Sequence, residues 1–132
     1  MKRSMILVLA LALTVGVFSA LAGGMGGKTI EGTLVDSKCY LMSSKNIGND
    51  HMTPGGEMPG CGTMCAKMGI PTGLLTAEGK YLTLAVPSLK VANYVGQTVR
   101  ATGMAKSGTL IVQKLEVKKG SGWEEVNVGG MM

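Results

Sequence analysis

Three cysteines and one histidine are the only thiols and imidazole in this 132-residue chain, and all four fall between Cys39 and Cys65. Their spacing is Cys39, eleven residues, His51, nine residues, Cys61, three residues, Cys65. Met42, Met52, Met58, Met64 and Met68 lie in the same short stretch. Three thiolates and one imidazole make a closed tetrahedral set of the kind that holds structural zinc. Thiolate with thioether is instead the donor set that copper(I) selects. One transition-metal ion bound by Cys39, His51, Cys61 and Cys65 is therefore the first expectation, with zinc ahead of copper(I). Asp50, next to His51, would either orient the imidazole or face solvent in a turn.

Two other chemistries stay open for the cysteines. A disulfide is ordinary in an oxidising compartment, but three cysteines leave one thiol over. A redox thiol is the other: Cys61 at a helix start would have a lowered pKa, with Cys65 or Cys39 as its resolving partner. Covalent haem attachment is set aside because no histidine follows Cys65.

These residues need elements to position them. Pro59 and Gly60 can open a helix at Cys61, and Met68-Gly69 followed by Pro71 can stop it. Cys61, Met64, Cys65 and Met68 then form one stripe at i, i+3, i+4 and i+7. The simplest reading of its two methionines is core filling. Before that helix, KTIEGTLVD (28–36) reads as a first strand, and 37–71 reads as a long irregular insertion. A loop of that length is usually functional or disordered. A polar loop buries too little apolar surface to offset its ordering entropy, whereas a bound ion can supply the folding free energy. After it come strands at 73–76 and 81–86 across an Ala-Glu-Gly-Lys turn, and a short helix over 87–94 with Ser88 as its cap. Strands at 97–103 and 109–118 follow, joined at 104–108, with a last one at 123–128. The fold class is all-β with a short helix or two: a five-stranded OB-fold-like barrel with a metal-stapled insertion after strand one.

The stretch VGQTVRATGMAKSGTLIVQKLEV (95–117) resembles the last two strands of small exported bacterial OB-fold proteins, the periplasmic BOF-like group. That resemblance implies the barrel over residues 29–118, less the insertion. The Cys-Tyr…His…Cys-x-x-x-Cys arrangement also resembles a set of secreted bacterial proteins, a likeness that implies an established module and brings no activity with it.

Residues 1–22 have the layout of a secretory signal peptide: Lys2 and Arg3, an apolar run, then Ala20-Leu21-Ala22. The run is short for a bilayer span, and no cysteine stands at the cleavage point to carry lipid. The expectation is a periplasmic or secreted protein free of the membrane after cleavage. Residues 23–28 read as a flexible linker, 29–128 as one domain and 129–132 as a flexible tail. Without Lys2 and Arg3, eleven basic residues face eight acidic ones, scattered and without a run. A nucleic-acid partner would need a clustered basic face and stacking aromatics; only Tyr40, Tyr81, Tyr94 and Trp123 are present beyond the leader. Trp123 is expected to close one end of the core. No pair of acids and no serine–histidine spacing suits an ordinary enzyme. The reading is an exported, non-enzymatic metal-binding module. Copper(I) handling and thiol-disulfide redox are the alternatives, and an unidentified protein partner is left open.

Overall fold

A computed structural model gives the structure for residues 27–129. The expected leader, residues 23–26 of the expected linker and residues 130–132 of the tail lie outside the described residues. Among those described, no helix is long and apolar enough to cross a membrane.

The chain is mostly strand. β1 (Lys28–Asp36) is followed by α1 (Ser37–Met42), a small hairpin of β2 (His51–Thr53) and β3 (Gly56–Met58), and α2 (Cys61–Lys67). Then come β4 (Thr72–Leu75), β5 (Tyr81–Ala85), α3 (Ser88–Val91), a 3-10 turn at Ala92–Tyr94, β6 (Thr98–Lys106), β7 (Thr109–Lys119) and β8 (Gly122–Val126).

Six of these strands form one sheet that comes back on itself. β1 pairs antiparallel with β6 through its first half and with β4 through its last four residues. β4 pairs with β5, and β5 lies parallel to the start of β7, Leu84 opposite Leu110. β7 pairs with β6, which closes a ring-like arrangement of five strands; β8 continues along the later part of β7. The alternation of YLTLA and of TVRATG puts Leu82, Leu84, Val99 and Ala101 inside, as a period of two requires. Leu84, Val99 and Ala101 join Leu34, Leu74, Leu110, Val112, Leu115 and Val117 in one aliphatic core. Leu34, Val35 and Asp36 are all buried because both faces of the end of β1 are covered. α1 and α2 pack there.

Several expectations change in detail. The 37–71 insertion is not irregular throughout: it carries two helices and a hairpin. The β6–β7 joint is tighter than residues 104–108, because β6 runs on to Lys106. The turn is Ser107-Gly108, both at positive φ (50° and 77°), the two-residue geometry that suits strand twist. Ser88 is not the cap of α3; it is the first helical residue, and Pro87 occupies the cap position without a side-chain bond. Trp123 is half-buried beneath the Arg100 guanidinium, 4.4 Å from its ring centre, and does not close the core. Arg100 in turn holds Glu116 through two hydrogen bonds of 2.6 and 3.0 Å.

Candidate metal centre

Asp36 ends β1 and starts α1. Its backbone is extended (φ −74°, ψ 120°), and its carboxylate accepts the N–H groups of Lys38 (3.3 Å) and Cys39 (3.2 Å). This is an aspartate N-cap, which satisfies donors that the first helical turn leaves without partners. It also places Cys39 one turn from a buried carboxylate. Asn46 secures the other side: its amide donates to the Cys39 carbonyl (3.2 Å) and accepts the Met52 N–H (3.1 Å).

α2 brings the other two thiols. Its end is fixed by the Gly69 N–H to the Ala66 carbonyl and the Ile70 N–H to the Cys65 carbonyl, both 3.1 Å, with Gly69 at φ +90°. That is the glycine-terminated helix stop expected at Met68-Gly69. Its start is held by the preceding loop. The Asn49 side-chain oxygen accepts from the Thr63 N–H (2.7 Å) and hydroxyl (2.9 Å), the Asn49 carbonyl from the Gly62 N–H (2.9 Å), and Asp50 from the Gly60 N–H (2.7 Å). Asp50 therefore supports the helix start and makes no bond to the imidazole. Gly62 lets α2 pack closely against its neighbours. A Cβ there would stand 2.5 Å from Val95 and 3.3 Å from the His51 ring.

The result is a convergence of donors. The sulfurs of Cys39, Cys61 and Cys65 lie within 4.8 Å of one another, and Cys39 Sγ is 4.0 Å from Cys61 Sγ. Two sulfurs bound tetrahedrally to one ion at about 2.3 Å each sit about 3.8 Å apart, so little movement separates the observed spacing from a bound one. A second triad shares Cys39: Asp36, Cys39 and a ring nitrogen of His51, again within 4.8 Å of one another. All four expected residues are thus brought to one region, His51 as a member of the second triad. Asp36 is an additional donor. The sequence places Asp36 only at the end of the first strand, with no helix expected after it, so neither the cap nor the ligand was legible.

His51 fits the role of a ligand. It is fully buried, and its Nε2 is 2.9 Å from the Gly48 carbonyl. A carbonyl only accepts, so Nε2 carries a proton and Nδ1 is the nitrogen left to serve as a ligand. That Nδ1 has no hydrogen-bond partner. Imidazoles that bind metals characteristically give their other N–H to such a carbonyl. Among the described residues the only other buried polar side-chain atom without a partner is Thr72 Oγ1, on the residue registered directly opposite Asp36.

Cys39 and Cys65 are held protonated in the absence of an ion. Burial, then the charge of Asp36 and the presence of Cys61, push the Cys65 thiol up to about 11 from an ordinary 9.0. Cys39 is pushed higher still, by burial first and then by its hydrogen bond to Asp36. A cation reverses this, because it binds the thiolate and expels the proton.

The methionines do not fill the core. Met64 is 54 % and Met68 71 % exposed, while the buried face of α2 is Cys61, Gly62, Cys65 and Ala66. Met42, Met52 and Met58 are exposed as well.

Comparison with protein-family models, with curated proteins and with solved structures finds no match for this chain. What can be said of its chemistry rests on the geometry above: Cys39, Cys61, Cys65, His51 and Asp36 lie close enough to hold a metal ion.

Proposed function

We propose that this protein is an exported, non-enzymatic metal-binding module, in which an ion at Cys39, Cys61 and Cys65, with His51 Nδ1 as fourth ligand, staples residues 37–71 to a small OB-fold-like barrel. The barrel reading is supported by the ring order β1-β4-β5-β7-β6, with a short helix between β5 and β6. Export is supported by the leader-like residues 1–22. The observation that carries the metal reading is the convergence of three thiols, one of which, Cys39, also lies within ligand reach of the buried His51, whose Nδ1 has no partner. Zinc is the ion we put first, because three thiolates and one imidazole fill its four positions. Asp36 then serves as a buried counter-charge that draws a cation in and holds the first turn of α1.

Copper(I) is the second reading, and one observation favours it. The three thiols form a triad by themselves, while His51 belongs to the triad of Asp36 and Cys39. Copper(I) is content with thiolates alone. The thiol-redox alternative ranks third. Both resolving partners it would give Cys61, Cys39 and Cys65, are pushed up by burial beside Asp36, so neither offers a ready thiolate.

Anaerobic titration of the reduced protein with zinc and with copper(I), read together with proton release, tests the reading. One ion per chain with release of up to three thiol protons is expected. His51→Ala should weaken zinc far more than copper(I) if the imidazole is the fourth zinc ligand. Binding that persists unchanged in Cys61→Ser would end the proposal.

A further inference from the structure

A cleft of about 400 Å³ opens onto the centre, with Cys39, Cys61 and Cys65 at its floor and Met42, Met52 and Met58 among its walls. Met42 follows Cys39 by three residues on α1, so it stands one turn above that thiol on the same side. Met58 is registered opposite His51 in the β2–β3 hairpin, so its side chain leaves the strand on the face that carries the imidazole. Each of the three is at least 43 % exposed. A single exposed apolar side chain needs no explanation. Three thioethers around one opening that leads to three thiols do, because thioether is a neutral soft donor with little affinity for zinc and real affinity for copper(I).

We infer that this cleft is a loading port through which copper(I) reaches the thiol triad, the methionines Met42, Met52 and Met58 holding the ion briefly before Cys39 and Cys61 take it. The inference rests on the copper(I) reading of the centre given above. Each hand-over is a ligand exchange. A bond forms between copper and a cysteine sulfur, a copper–thioether bond breaks, and the thiol proton leaves to solvent. Copper stays in the +1 state throughout, so no oxidant or reductant enters. The direction is set by donor strength, since a neutral thioether binds more weakly than the thiolate below it. Thioethers do not titrate, so the port keeps its donors at any pH at which the protein is folded. Zinc, which gains little from thioether, would reach the same floor without help from the walls.

The experiment is stopped-flow transfer of copper(I) from its bathocuproine disulfonate complex to the reduced full chain, under anaerobic conditions. Four proteins are compared: the unaltered chain, the triple variant Met42→Leu/Met52→Leu/Met58→Leu, the control Met104→Leu, and Cys61→Ser. Met104 is an exposed methionine on β6 and is absent from the cleft lining. The triple variant should load copper(I) about tenfold more slowly or worse, the low end of what supporting groups contribute at metal centres. Its equilibrium copper(I) affinity and its rate of zinc loading should be unchanged, and Met104→Leu should behave as the unaltered chain. Equal loading rates in the triple variant and the unaltered chain would overturn the port while leaving the centre in place. An equilibrium loss in the triple variant as large as that of Cys61→Ser would also overturn it, by making the methionines final ligands. Failure of the unaltered chain to take copper(I) from the complex, or unchanged uptake by Cys61→Ser, would remove the copper centre itself and the port with it.

Discussion

The ring and the 37–71 excursion are built on opposite plans. Inside the ring the largest buried groups are aliphatic, Leu34, Leu74, Leu110 and Leu115 among them; the fully buried polar residues Asp36 and Thr72 face each other across β1 and β4, and the charged pair Arg100–Glu116 lies outside the core with Arg100 partly exposed. In the excursion the buried set is Ser37, Asn46, His51, Cys61, Gly62, Cys65 and Ala66, while Leu41, Met42, Ile47, Met52, Met58, Met64 and Met68 are exposed. The ring can hold itself together by removing apolar surface from water, at roughly 25 cal/mol per Å². The excursion has turned its donors inward and most of its large apolar groups outward, and apart from the α2 face that sets Ala66 into the core, hydrophobic burial does little to order it. Its internal order comes from side-chain clamps by Asp36, Asn46 and Asn49, and in our reading from an ion.

Removing the ion is the strongest way to break that comparison. Chelation, or Cys61→Ser, should lower hydrogen-exchange protection through most of 37–71 and leave the amides of β5, β6 and β7 as protected as before. Metal affinity in Cys61→Ser should fall by more than the roughly 10–100-fold that supporting residues contribute. Simultaneous loss of protection in the ring would mean that one core serves both regions.

The converse perturbation strikes the ring. Leu110 is fully buried opposite Leu84, and Leu110→Ala should cost about 2–5 kcal/mol of global stability. Metal affinity measured on the folded fraction should not change. Denaturant melts with and without ion check both statements, and a large drop in affinity would show that the centre depends on core packing.

A smaller effect sharpens the picture within the excursion. Asn49→Ala removes the acceptor for the Thr63 N–H and hydroxyl at the start of α2. It should cost about 1 kcal/mol, the usual worth of a cap, and it should be felt as weaker metal binding, because Cys61 and Cys65 ride on that helix. Thermal melts alongside competition titration separate the two readouts.

The same contrast explains what was legible beforehand. The ring strands announced themselves because a period-two pattern such as YLTLAV has one reading when one face is buried. The donors Cys39, His51, Cys61 and Cys65 were legible by type. The stripe on α2 was misjudged for a physical reason. Spacing places Cys61, Met64, Cys65 and Met68 on one side of a helix, but it does not say which edge of that side meets the protein. Gly62 and Ala66 decide it, since only small residues let the helix approach Val95 and β1 closely, so the buried edge runs through 61, 62, 65 and 66. Asp36 escaped notice because the helix it caps, α1, lies in a stretch whose sequence reads as irregular, so nothing marked its carboxylate as turned inward. The Asn46 and Asn49 clamps join residues six or more apart through irregular backbone, where no period operates.

The gentlest probe is pH, which removes no atom and has little effect on the ion-free chain near neutrality. In the ion-free protein the Cys65 thiol is pushed to about 11 from 9.0, and Cys39 in the same direction. Above the ordinary value the unfolded chain releases these protons while the folded chain keeps them, so the unfolded state binds fewer protons and stability falls as pH rises. The contribution is whole below about 9 and is lost progressively up to and beyond about 11. The loaded protein should respond with the opposite sign on the acid side, because protons compete with the ion for the same sulfurs. Glu116 adds a loss of its own in acid, since its bond to Arg100 holds its carboxyl below the ordinary 4.5; acid measurements on the loaded form therefore stay above that value. Urea midpoints of the reduced, ion-free protein at several points between about pH 8 and about pH 10.5 supply the check. A midpoint that stays level or climbs over that interval would mean that water reaches the thiols freely, and the excursion would then have no closed interior for an ion to complete.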